Sequence, residues 1–217
     1  MKRASAVAFD MDGTLIDSRL DIAAACNYVL ASAGRVPVDP AVVATYVGDG
    51  VRALVSKAFA LPMADPALDD LEAAFVARYA AHPVERTTWM PGALAALDAL
   101  RGVPLAVVTN KARSVTLAIL DALGVGARFA FVYGGGDGPL KPHPEPVLAV
   151  ARAFSVAPAA VWMVGDGWQD LDAAHAAGAV AVGVLGGFTS DARLRESRPE
   201  ALLGSLAELP DLFQNAG

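Results

Sequence analysis

The chain has 217 residues, 55% hydrophobic and 18% charged, with 23 acids against 17 Lys and Arg for a net charge of −6, which fits one globular domain or one domain with a modest insertion. No basic run offsets the acidity, which argues against nucleic-acid binding, and the longest apolar stretches (103–109 and 176–188) are too short or glycine-broken to span a bilayer. The N-terminal stretch 1–9 is too short in apolar residues for a secretory signal, and the single Cys26 precludes an intramolecular disulfide, so a cytoplasmic location is expected.

In chain order, a first strand is predicted over 6–9. Residues 18–83 then carry almost no strand signal and read as helices over 20–33, 40–47, 51–60 and 67–81, punctuated by Pro37, Pro40, Pro62 and Pro66. Further strands are predicted over 105–109, 129–133, 161–165 and 180–184, each nearly continuous in apolar residues, as strands buried on both faces of a parallel sheet are. A helix over 112–123 has Val115, Ile119, Leu120 and Leu123 on one face and Gly124 as its stop. Alternating strands and helices imply right-handed βαβ units. The expected fold is α/β: a doubly wound parallel sheet, with residues 1–17 plus 84–217 as the core. Residues 18–83, too long for a crossover helix, form an inserted helical domain over the carboxyl ends of the strands.

Polar clusters follow these strands. The run Phe9-Asp10-Met11-Asp12-Gly13-Thr14 ends an apolar strand in two acids at i and i+2, whose repulsion needs a metal, a proton or both. Taken alone it is also an ordinary turn. Thr109-Asn110-Lys111 supplies a hydroxyl, an amide and an ammonium for phosphate oxygens, or else a helix cap followed by a solvated lysine. Lys141-Pro142-His143-Pro144 follows the glycine-rich stretch 134–138 and presents Lys141 from a restricted turn, or simply exposes it. His143 is an acid or base by residue type only. In Gly165-Asp166-Gly167-Trp168-Gln169-Asp170 the two acids stand four apart, where a helical turn puts both on one side as oxygen ligands for Mg²⁺. A helix dipole alone explains Asp172 and Asp170 better than it explains Asp166.

The clusters carry weight jointly, because the carboxyl ends of parallel strands converge on one cleft. There Asp10 would attack a phosphate, Asp12 would serve as acid and base, and Thr109 and Lys141 would hold phosphoryl oxygens. Mg²⁺ on Asp10, Asp166 and Asp170 would offset the repulsion between carboxylate and phosphate.

These four motifs, in this order, resemble those of the haloacid dehalogenase superfamily across essentially the whole chain. The resemblance implies a Rossmann-like core with a helical C1-type cap, an aspartyl-phosphate intermediate, and Mg²⁺ bound additionally by the backbone carbonyl of Asp12. Superfamily dehalogenases and phosphonatases lack an acid at the position of Asp12, so phosphomonoester chemistry is implied.

The segment Tyr46-Val47-Gly48-Asp49-Gly50-Val51-Arg52, with Lys141-Pro142-His143-Pro144-Glu145-Pro146, is similar to phosphoglycolate phosphatases. That similarity implies that Gly48 and Arg52 face the substrate, Arg52 pairing with a carboxylate, and that Asn110 joins Thr109 and Lys141 in binding phosphate. Arg52 is equally readable as an exposed helical charge. Leu20 stands where such proteins often have proline, and the bulky Trp168 is placed to pack on the cap or narrow the entrance. The expected partner is a small phosphorylated metabolite, 2-phosphoglycolate first, acted on by a monomer or homodimer. A sugar-phosphate or pyrophosphate phosphatase, a phosphomutase and a non-catalytic binding protein are the alternatives.

Overall fold

The computed structural model describes residues 3–217; Met1 and Lys2, at the start of the apolar-poor N-terminal stretch, lie outside them. The chain opens with β1 (Ala6–Phe9) and the short β2 (Ile16–Asp17), then runs through four helices, α1 (Arg19–Ser32), α2 (Pro40–Ala44), α3 (Val51–Phe59) and α4 (Ala67–Ala81). It returns through β3 (Thr88–Trp89) to α5 (Ala93–Ala99), β4 (Leu105–Ala112), α6 (Arg113–Ala122), β5 (Phe131–Gly135) and α7 (Glu145–Ala153). The last part is β6 (Val161–Gly165), α8 (Trp168–Ala177), β7 (Val180–Val184), α9 (Asp191–Glu196), β8 (Ala201–Leu203) and α10 (Leu209–Asn215).

Six strands form one parallel sheet in the order β5-β4-β1-β6-β7-β8. Successive side chains go to opposite faces. In β1, Val7 and Phe9 join one buried cluster with Val115 and Ile119 of α6, whereas Ala6 and Ala8 join a second with Val147 and Val150 of α7 and Leu171 of α8. Burial on both faces explains why these strands carry unbroken apolar runs. From β1 the chain builds outward to β4 and β5, then crosses back to β6, β7 and β8 on the other side. The carboxyl end of β1 is therefore a topological switch point, where open α/β sheets leave a crevice.

The helical insert leaves and rejoins the core beside a two-stranded antiparallel ribbon that pairs Ile16 with Trp89 and Asp17 with Thr88. Within it α1 packs on α2 and α4, α3 packs on α4, and α4 lies against α6 of the core. Among the described residues no helix is long and apolar enough to cross a membrane.

Some expectations shift. The strand expected over 129–133 runs over Phe131–Gly135 and takes in two residues of the glycine-rich stretch. A Cβ on Gly134 would fall 2.7 Å from Cα of Arg113, so glycine here reports close backbone approach and not a loop. The second strand extends to Ala112, so Thr109 and Asn110 are not caps of α6. The short ribbon and β8 have no local signature, since a partner strand defines them.

Candidate active site

Asp10 is the first residue beyond β1; its backbone N–H bonds the carbonyl of Val164 on β6, 2.9 Å away. Oxygens of Asp10, Asp166 and Asp170 lie within 4.8 Å of one another, with the last two buried. Such an all-oxygen donor set could hold a hard divalent cation. Gly13, at φ +88°, lets the loop pass this group, since a Cβ there would stand 2.4 Å from Oδ2 of Asp166. The Thr14 hydroxyl donates to Asp166 Oδ1 (2.7 Å) and accepts from the Asp166 backbone N–H (2.9 Å), while the N–H of Phe188 donates to Oδ2 at 2.7 Å. Asp170 sits in the first turn of α8, where its Oδ2 accepts from the N–H of Gly167.

The electrostatics fit a cation. Burial, and then the neighbouring Asp10 carboxylate, raise the Asp166 carboxyl to about 6. Burial raises Asp170 further, to about 8, with Lys141 opposing and Asp10 and Asp166 adding to it. Lys141 lies between the acids, its Nζ 2.8 Å from Asp10 Oδ1, 2.5 Å from Asp170 Oδ1 and 2.6 Å from the carbonyl oxygen of Val108. Burial alone would lower its pKa; Asp10 and Asp170 outweigh it and keep the ammonium charged.

Asp12 faces a different set of partners. Its Oδ1 accepts from the Ser18 hydroxyl at 2.5 Å, and its Oδ2 lies 3.0 Å from Nζ of Lys111. Lys111 also donates to the Tyr79 hydroxyl, 2.9 Å away, from beneath the ring of that residue. Tyr79 belongs to α4, so one lysine joins the insert to the acid two residues past Asp10. Burial works against the charge on Lys111, but Asp12 outweighs it and raises its pKa.

Asp10, Asp12, Thr109, Asn110, Lys141, Gly48, Asp166 and Asp170 all line one cavity of about 70 Å³ beneath the insert, together with Lys111. Two placements correct the sequence reading. The Asn110 carboxamide is committed to the backbone: it donates to the carbonyls of Gly48 and Lys141 and accepts from the N–H of Lys141, each at 2.8 Å. It ties the Lys141 turn to the insert and has no donor left for a phosphate. Arg52 does not line the cavity; its guanidinium bonds Asp69 (2.6 Å) and the carbonyls of Met63 and Asp65, with Glu72 nearby. It braces α3 on the loop before α4. Trp168 likewise stays outside the cavity, beneath the guanidinium of Arg193.

The sequence reading assigned no role to Tyr79, Asp21 or Gln169. Gln169 donates to Asp49 of the insert at 2.9 Å. Asp21, almost fully buried, gathers the N–H groups of Glu85, Arg86 and Thr87 and the Thr87 hydroxyl at 2.7–3.0 Å, clamping the return connection onto α1.

A family model of haloacid dehalogenase-like hydrolases matches residues 4–178. The chain belongs to that family. Over 222 residues it is 35% identical to a phosphoglycolate phosphatase of Chromobacterium violaceum, with 99% of each chain covered. Over 216 residues it is 38% identical to a phosphoglycolate phosphatase of Rhodospirillum rubrum, covering 95% of this chain and 87% of that one. The crystal structure of a predicted phosphoglycolate phosphatase from Haemophilus somnus is similar at TM-score 0.87 and 28% identity, covering 98% of this chain and 99% of that one.

Proposed function

We propose that this hydrolase is a Mg²⁺-dependent phosphatase that cleaves 2-phosphoglycolate through an aspartyl-phosphate on Asp10. The observation that carries the reading is the division of the cleft: Asp10 shares its surroundings with two buried acids and Lys141, while Asp12 is held apart by Ser18 and Lys111. Substrate choice follows the phosphoglycolate phosphatases that the chain resembles over nearly its full length.

A carboxylate approaching a phosphate dianion meets repulsion of about 8 kcal/mol at about 4 Å and an effective dielectric near 20. Lys141 offsets part of the charge of Asp10, Asp166 and Asp170, and a divalent cation would offset the rest. Mg²⁺ held by Asp10, Asp166, Asp170 and the main-chain carbonyl of Asp12 would supply Lewis-acid neutralisation of the phosphoryl oxygens.

In the first step Asp10 attacks phosphorus, the bond from phosphorus to the ester oxygen breaks, and Asp12 gives its proton to the leaving alkoxide. In the second, Asp12 takes a proton from water as the water oxygen attacks phosphorus, releasing phosphate and restoring Asp10. Lys141 keeps Asp10 aimed, and Thr109 hydrogen-bonds a phosphoryl oxygen. Residues 18–83 act as a cap on the core formed by 1–17 and 84–217, hinged near Asp17 and Glu85.

The test is phosphate release, with and without Mg²⁺, from 2-phosphoglycolate, hexose and pentose phosphates, nucleotides and pyrophosphate, beside Asp10→Asn. Metal-dependent release led by phosphoglycolate and abolished in the variant is expected. A flat profile overturns the substrate, and an active variant overturns the nucleophile.

A further inference from the structure

We infer that Lys111, rather than Arg52, reads the carboxylate of the substrate. The inference rests on the phosphatase reading above and assigns the specificity determinant that reading leaves open. Of the cations lining the cavity, Lys141 is fully engaged, its three N–H groups directed to Asp10, Asp170 and the Val108 carbonyl. Lys111 spends two, on Asp12 and Tyr79, and keeps one. Around the two lysines the insert contributes Ile22, Val47, Val51, Leu54 and Phe75, none of which can neutralise an anion.

Position completes the case. The ester oxygen must come within hydrogen-bond reach of Asp12 to be protonated, and in a 2-phosphoacid the carboxylate carbon is only two bonds from that oxygen. Nζ of Lys111 is 3.0 Å from Asp12 Oδ2, so an anion at that spacing meets this ammonium and no other. The lysine is nearly out of solvent, with 5% of its side chain exposed, so a carboxylate reaching it makes a desolvated, charge-assisted contact. Tyr79, carried by α4, fixes the ammonium only when the insert lies over the core, so the contact forms in the closed arrangement. The ligand class is a short phosphorylated 2-hydroxy acid.

The experiment compares kcat/KM for 2-phosphoglycolate and for its uncharged isostere, 2-phosphoglycolamide, in the wild type, Lys111→Met and Lys111→Arg. Any effect of the substitution on Asp12, and any fraction of misfolded protein, acts on both esters, so the ratio isolates the carboxylate contact. The wild type is expected to prefer the acid, mainly through KM, and Lys111→Met to lose roughly ten- to a hundredfold of that preference. Lys111→Arg, which keeps the cation, should retain part of it. A preference that survives intact in Lys111→Met overturns the assignment to Lys111 alone. Should Lys111→Met not fold, Lys111→Gln replaces it under the same two outcomes, and equal use of acid and amide by the wild type overturns both this inference and the phosphoglycolate assignment while leaving the phosphatase standing.

Discussion

The two halves of the cleft are made of different materials. The strand-end half, with Asp10, Asp166, Asp170 and Lys141, is a dense cluster of charges on a sheet buried from both sides. The half supplied by the insert is apolar, with Ile22, Val47, Val51, Leu54 and Phe75 relieved only by the Tyr79 hydroxyl. Charges on a rigid sheet can be held in place at little reorganisation cost, which is what phosphoryl transfer requires. Apolar side chains packed over charges exclude water and strengthen each charged contact made beneath them. Lys111 and Asn110 are the seams between the halves.

Substitutions on either side should separate these roles. The largest effect is expected in the core half, where Asp12→Asn removes the acid and base and lowers kcat roughly a hundred- to ten-thousandfold for esters of poor leaving groups. Rates within tenfold of wild type would place proton transfer elsewhere. The next largest is on stability. Asp21→Ala leaves three backbone N–H groups and a hydroxyl without their acceptor, and urea unfolding should show a loss of about 2–4 kcal/mol. A loss below 0.5 kcal/mol or so would mean that water replaces the clamp.

The metal side has its own signature in pH. With Asp166 raised to about 6 and Asp170 to about 8 from 3.8, the metal-free folded protein binds more protons than the unfolded chain between about pH 4 and 8. Metal-free stability therefore falls as pH rises through that window. A cation needs the ionised acids, so the Tm gained on adding Mg²⁺ should be larger near pH 8 than near pH 6. Equal gains would remove Asp166 and Asp170 from the ligand set.

In the insert half the effects shrink. Tyr79→Phe deletes one hydrogen bond to Lys111 and should lower kcat/KM several-fold. Arg52→Gln, whose guanidinium is turned to Asp69, should leave the ratio of acid to amide substrates within twofold of wild type. A collapse of that ratio would return Arg52 to the substrate.

The same contrast governs what could be read from sequence. Strands β1, β6 and β7 fall where apolar runs place them, and helix α6 falls within a residue of where its one-sided pattern places it, because burial on both faces or along one stripe leaves a continuous pattern. Asp10 and Asp166 each follow directly on a strand and Asp170 opens the helix after the second of them, so the topology that gathers them is itself implied by the runs before them. Contacts across the seam leave no such trace. Tyr79 is one residue on an alanine-rich helix, and only the packing of α4 on α6 brings it to Lys111. Arg52 reads equally as a substrate contact or a helical charge, because its partners Asp65 and Asp69 are 13 and 17 residues away, which local spacing does not report. The sequence leaves Asn110 open because a carboxamide at a strand end looks the same whether it binds phosphate, caps a helix or holds backbone.

Every step of the proposed hydrolysis passes through a phosphorylated Asp10. Wild-type enzyme mixed with 2-phosphoglycolate and Mg²⁺, quenched in acid within one turnover and mapped by peptide mass spectrometry, should carry the phosphoryl group on the peptide containing Asp10 and on no other. Full turnover with that peptide unmodified at every quench time, together with an active Asp10→Asn variant, would contradict it.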